Sequence, residues 1–202
     1  GISAGKFCPA ATDSNHPRRS TRSFGAEFFL DSKRQCPAVF FTLMPMQLDG
    51  KVALITGAGR GIGKAIAIGF AHQGADIVAV SRTLAQVAET AREVQALGRR
   101  ALAIKADVSR LNDVRSMAEQ VQHNFDGLDM LVNNAALRMN QLGKKDSYTI
   151  PFTELTIEDW DSAIAVNLRG PFLLSKLALD LMARQRSGHI VNITSTAAKR
   201  AW

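Results

Sequence analysis

Cysteine is scarce in this chain. Cys8 and Cys36 are the only two in 202 residues, too few for a disulfide framework. No Cys-x-x-Cys pair or Cys/His cluster suggests zinc, the four histidines are scattered, and no metal site is expected. No apolar run reaches the roughly 18 residues that a membrane-spanning helix needs, so no membrane role is expected. Strong charge segregation is also missing. The net charge is +7, but residues 1–46 hold six Lys/Arg and three Asp/Glu, and residues 47–202 hold nineteen and fifteen. A nucleic-acid partner would require a concentrated basic stripe, and none is present. Tyrosine is rarest of all, with Tyr148 alone. What the chain does have is 46% apolar residues, enough for a globular domain with a sizeable core.

Residues 1–46 differ from the remainder. They hold both cysteines, six of the ten phenylalanines and four of the six prolines, without helical or strand periodicity. Arg18, Arg19 and Arg22 precede only Phe28-Phe29-Leu30 before Asp31 intervenes, which is not a secretory signal. The segment is read as an unstructured or non-native leader upstream of a start at Met46 or Met44. A transit or accessory segment is the alternative, opposed by Asp13, Glu27 and Asp31.

From Lys51 onward apolar runs alternate with helical patterns. Strands are expected at Val52–Thr56, Asp76–Val80, Ala101–Ala106, Leu128–Val132 and His189–Thr194. Between them, Ile62, Ala65, Ile66, Gly69 and Phe70 recur at helical spacing, with Gly74 as a stop. Leu84, Val87, Ala88, Ala91, Val94 and Leu97 line a second helix, closed by Gly98. Val114, Met117, Ala118, Val121 and Phe125 line a third, for which Ser109 is the expected cap. One long helix is expected from Glu158. This alternation predicts an α/β fold: a Rossmann-like doubly wound parallel sheet between two helical layers, spanning residues 47–202. Such a fold usually carries a sixth strand, and only seven residues follow Ser195, so the sheet is expected to be incomplete at the C-terminus.

Thr56-Gly57-Ala58-Gly59-Arg60-Gly61-Ile62-Gly63 lies between the first strand and the first helix. In that context a glycine run is a phosphate cradle. Gly57 takes the tight turn, Gly61 lets a pyrophosphate approach the backbone at a helix N-terminus, and Gly63 permits close helix–strand packing. The second strand runs into Ser81-Arg82. An acidic residue there would bind a ribose 2′-hydroxyl, whereas arginine accommodates a 2′-phosphate. Ser81 offers a hydrogen-bond donor without repelling charge, and Arg60 adds a second cation. The expected cofactor is therefore NADP(H), with NAD(H) second.

The spacing T-G-x-x-x-G-x-G resembles the short-chain dehydrogenase/reductase family. Four further motifs resemble it in order. Asp107-Val108 falls where that family places an Asp at the adenine. Asn133-Asn134-Ala135-Ala136 is similar to its N-N-A-G, with Ala136 in place of a glycine, where slight backbone strain is expected. Asn167 stands at its catalytic-tetrad Asn, and Ile190–Ser195 is similar to the strand that ends in its catalytic Ser. The resemblance implies hydride transfer between a nicotinamide and a small alcohol or ketone. Ser195 would bind the substrate oxygen, Asn167 would hold a water in the proton path, and Thr56, Gly57, Gly59, Arg60, Gly61, Ile62, Gly63, Ser81, Arg82, Asp107, Val108, Asn133, Asn134 and Ala135 would bind cofactor. It also implies a Tyr-x-x-x-Lys acid/base pair after the Ser. Tyr148 precedes Ser195 and has Phe152 four residues on, so it does not supply that pair. The sequence as it stands is expected to be inactive. A homo-oligomer, dimer or tetramer, and a cytoplasmic location are expected of the complete protein. A non-catalytic dinucleotide-binding module or sensor is the alternative function.

Overall fold

The computed structural model describes residues 46–137 and 152–195. The readings for residues 1–45, and for Tyr148 and the rest of the 138–151 loop, lie outside the described residues. Five strands form a parallel sheet in the order β3-β2-β1-β4-β5: β1 (Val52–Thr56), β2 (Asp76–Ser81), β3 (Ala101–Lys105), β4 (Met130–Asn133) and β5 (His189–Asn192). The helices are α1 (Gly61–His72), α2 (Leu84–Ala96), α3 (Leu111–Asn124), α4 (Ile157–Ile164) and α5 (Gly170–Gln185).

The apolar runs are continuous because both faces of the sheet are covered. Alternate residues of one strand serve two cores. Val52 and Leu54 of β1, with Val78 and Val80 of β2, pack with Val114, Met117, Leu174 and Ala178 on the α3 and α5 side. Ala53, Ile55, Ile77 and Ala79 pack with Ala67, Ala71, Val87 and Val94 on the α1 and α2 side. Register Leu54↔Val78 and Leu54↔Leu131 keeps like-facing residues abreast across the three central strands.

Several helical readings change. The buried face of α1 is Gly63, Ala67 and Ala71, whereas Ile62, Ala65 and Gly69 are exposed. A stripe of small residues at i, i+4 and i+8 lets α1 lie close on the sheet, leaving the larger Ile66 and Phe70 half-buried at its flanks. On α2, Leu84 and Leu97 are exposed at the helix ends, and Thr90 joins Val87, Ala91 and Val94 in the interior. Arg110, not Ser109, is the N-cap residue of α3, because the Ser109 hydroxyl donates to Asp107 Oδ1 at 2.7 Å. The long helix from Glu158 is broken. α4 ends at Ile164, a π-helical turn covers Ala165–Arg169, and α5 follows. Pro171 has no N–H to give the carbonyl of Asn167 four residues earlier, and Gly170 N–H bonds back five residues to Ala165. α4 starts at a reciprocal capping box between Thr156 and Asp159.

Candidate active site

The sheet order reverses between β1 and β4, where a doubly wound fold opens its crevice. Thr56, at the end of β1 and 1% exposed, ties that opening together. Its hydroxyl donates to the carbonyl of Val132 at 3.3 Å and accepts from the amides of Asn134 and Ala135, each at 3.0 Å. Asn134 answers with Nδ2, which donates to the Thr56 carbonyl at 2.9 Å. One β-branched residue, placed by its strand propensity, thus fixes both walls of the crevice.

The glycine turn crosses this opening. Gly57 (φ +67°) and Gly61 (φ +56°) occupy the left-handed region that glycine tolerates best. At Gly63 a Cβ would sit 2.4 Å from both Asn134 Nδ2 and the Gly57 carbonyl, so the residue must be glycine for α1 to reach the β4 end. At Gly61 a Cβ would meet nothing within 4 Å. That backbone is open to the crevice. The N-terminus of α1 has neither a capping side chain nor an acid in its first turn. Its outward amides therefore keep their capacity for an anion.

A cleft of about 680 Å³ extends from this turn, bounded by Gly57, Gly59, Arg60, Gly61 and Ile62, by Val80–Thr83, by Ala106–Val108 and by Asn134–Leu137. At one end stand Arg82 and Asp107. Burial pushes the Asp107 carboxyl up, but hydrogen bonds from the Ser109 hydroxyl and amide, then the charges of Arg82 and Arg110, outweigh it and hold the group below the usual value. Asp107 is thus poised as a charged acceptor. The Ser81 hydroxyl donates to the Thr83 carbonyl at 3.0 Å and accepts from the Thr83 amide at 3.1 Å. Its donor, expected to serve a ligand, is spent on shaping the turn that presents Arg82.

At the other end the π-helical turn brings Asn167 against the loop after β4. Asn167 Oδ1 accepts from the Leu137 amide at 2.8 Å, and Nδ2 donates to the Leu137 carbonyl at 3.1 Å. Beneath, Asn133 is 5% exposed and donates to Asn192 Oδ1 at 2.9 Å, joining β4 to β5. Ser195 is exposed, three residues past β5. The geometry is that of an open cleft at the point where the sheet order reverses, with polar groups gathered at the strand ends.

The model of the short chain dehydrogenase family matches residues 51–202. A 3-oxoacyl-[acyl-carrier-protein] reductase of Synechocystis is 38% identical over 153 residues, covering 74% of this chain and 58% of that protein. Galactitol 2-dehydrogenase of Agrobacterium fabrum is 36% identical over 156 residues, covering 77% and 56%. The chain belongs to the short-chain dehydrogenase/reductase family. A metagenomic member solved in complex with NADP superposes with a TM-score of 0.69 at 35% identity, covering 77% of this chain and 66% of that one. A 7α-hydroxysteroid dehydrogenase solved with NADH and 7-oxo glycochenodeoxycholic acid gives 0.71 at 34%, covering 78% and 58%. The chain spans 56–61% of the length of curated relatives such as these.

As a family member, the chain divides its expected site residues into two groups. Gly57, Gly59, Arg60, Gly61, Ile62, Ser81, Arg82, Asp107, Val108, Asn134 and Ala135 border the cleft. Thr56, Gly63 and Asn133 lie behind it and build it, while Asn167 adjoins the cleft-lining Val166. The strain expected at Ala136 is absent, since Arg186 is the only described non-glycine residue with positive φ. Sequence reading missed Thr90, whose buried hydroxyl holds the glycine turn. A lone polar residue on the apolar stripe Val87–Ala91–Val94 was the available signal. Among the described residues, no group of three or more His, Cys, Asp or Glu could hold a metal, and no helix is long and apolar enough to cross a membrane.

Proposed function

We propose that this chain binds NADP(H) and serves an oxidoreductase that transfers a hydride between the nicotinamide and an alcohol or carbonyl of a small molecule. The observation that carries this reading is the cleft itself. An uncapped helix N-terminus and the open Gly61 backbone face it, and Arg60 and Arg82 stand beside it. Residues Gly57–Gly63 would hold the diphosphate, and Asp107 with Val108 the adenine. The turn after β2 carries Arg82 and no acid, which favours a 2′-phosphate over a free 2′-hydroxyl.

When bound, the nicotinamide supplies or accepts the hydride; the protein contributes orientation and proton handling. Ser195 would donate to the substrate oxygen as charge develops there. The side chain of Asn167 is engaged with Leu137, so its backbone carbonyl, deprived of the Pro171 partner, is the group that would hold a water. No Tyr-x-x-x-Lys occurs in these 202 residues. The acid/base step is accordingly assigned to sequence beyond them, and the 202 residues alone are proposed to bind cofactor without turnover. That same observation favours the second reading, a dinucleotide-binding module or sensor without catalysis.

A homo-oligomer is proposed through the α4–α5 face, where Trp160, Ile164, Leu168 and Phe172 repeat every four residues and are 37–64% exposed. Sedimentation showing a concentration-independent monomer would refute it. The functional test is fluorescence titration of the chain with NADPH and NADH, followed by carbonyl-reduction assays on it and on a version extended to include a Tyr-x-x-x-Lys segment. Tight NADPH binding by both, with turnover by the longer one alone, is expected. Failure of either chain to bind a nicotinamide cofactor would overturn the proposal, and binding without turnover by both would favour the sensor.

A further inference from the structure

The glycine turn is suspended from the neighbouring β2–α2 unit. Ala58, fully buried between two glycines, is held at both of its backbone polar groups. Its amide donates to the Val80 carbonyl at 3.1 Å, and its carbonyl accepts from the Thr90 hydroxyl at 2.9 Å. Thr90 lies on α2 and is fully buried. A hydroxyl has one proton, and a helical threonine ordinarily gives it to the carbonyl four residues back. That contact, to Gln86, is the longer one at 3.2 Å. The shorter bond reaches out of the helix to the turn. The first turn of α2 touches the cradle a second time, since a Cβ on Gly59 would sit 2.7 Å from Gln86 Cβ.

We propose that Thr90 is a positioning residue for dinucleotide binding. It restrains a turn that its glycines leave free, holding the Ala58 carbonyl from α2 while the Ala58 amide is held by Val80. The inference rests on the cofactor reading above. Gly57 and Gly59 on either side of Ala58 give the unbound turn many accessible conformations. Anchoring Ala58 from α2 keeps the amides in the arrangement that an anion needs, so little ordering remains to be done on binding. Without the anchor only a fraction of molecules presents a competent cradle, and the apparent affinity falls by that fraction.

The test compares Thr90→Val, which keeps shape but loses the hydroxyl, with Thr90→Ser, which keeps the hydroxyl. NADPH engages the cradle; adenosine 2′-monophosphate reaches only the adenine and the Arg82 turn. Thr90→Val is expected to weaken NADPH about 5-fold, the worth of one hydrogen bond, and to change adenosine 2′-monophosphate by less than about 2-fold. Thr90→Ser should restore NADPH binding to within about 2-fold. If Thr90→Val does not fold, Thr90→Ala takes its place with the same expectations. Unchanged NADPH affinity, or equal losses for both ligands that follow a fall in thermal stability, would overturn the positioning role. Absence of NADPH binding by the unmodified chain would instead overturn the cofactor reading beneath it.

Discussion

The side-chain amide of Asn167 pairs with both backbone polar groups of Leu137, accepting from its N–H at 2.8 Å and donating to its carbonyl at 3.1 Å. This is the geometry of a strand pair, made by a side chain. It pins the loop after β4 to the π-helical turn without regular secondary structure. Asn167→Asp keeps the acceptor but sets a carboxylate against the Leu137 carbonyl. Amide exchange at Leu137 is expected to speed up in that variant, with a stability loss of about 0.5–1.5 kcal/mol by denaturant unfolding. Unchanged exchange at Leu137 would show that the loop is held by other contacts.

Thr56 makes a sharper case because it is buried. Thr56→Val is nearly isosteric but deprives the Asn134 and Ala135 amides of their acceptor. A loss of about 1–3 kcal/mol is expected, together with weaker cofactor binding as the crevice walls separate. Thr56→Ser retains the oxygen and is expected to bind cofactor nearly normally. Calorimetry and cofactor titration on the pair separate the hydroxyl from the methyl group.

Three glycines predict three different outcomes for alanine. At Gly63 the new methyl meets the Gly57 backbone, which cannot move aside, so loss of cofactor binding and a stability loss above about 2 kcal/mol are expected. At Gly61 there is space, but φ is +56°, and the cost is backbone strain of about 1 kcal/mol. At Gly69, inside α1 with nothing within 4 Å and without positive φ, alanine is expected to stabilise by about 0.5–1 kcal/mol. Thermal unfolding of the three variants should rank Gly69→Ala above the parent and Gly63→Ala last.

Arg82→Ala is expected to weaken NADPH much more than NADH, because only the former carries the 2′-phosphate that a guanidinium fork matches. Equal losses in parallel titrations would remove the basis for the NADP(H) preference.

Asp107 predicts a pH dependence. Its folded pKa is lowered from 3.8, so its contribution to stability is present above that value and is lost as pH falls through the lower folded one. Carbon-13 NMR titration should show the carboxyl titrating below 3.8. In Ser109→Ala, which removes the hydroxyl hydrogen bond, the midpoint should move up toward it. An unmoved midpoint would assign the shift to the amide of residue 109 and the charges of Arg82 and Arg110 instead.

The sequence by itself determined the parallel sheet, because Val52–Thr56 and Asp76–Val80 are apolar without alternation, a pattern that needs cover on both faces. It also determined the glycine turn, in which Gly57 and Gly61 answer local backbone sterics, whereas Gly63 is required by the close approach of α1 to Gly57 and Asn134. Local pattern could not determine which face of α1 is buried. Ile62 and Phe70 suggest one stripe by hydrophobicity, and the close approach of the helix to the sheet selects Gly63, Ala67 and Ala71 instead. Nor could it show that Ser109 serves Asp107, that Pro171 opens a π-helical turn beside Asn167, or that Thr90 reaches Ala58 across 32 positions. The first two rest on local hydrogen bonds for which other local partners compete, and the third on a contact whose partner is chosen by tertiary packing. A side chain's polar group can satisfy itself in several local ways, and only the position of a neighbouring element decides which bond is shortest.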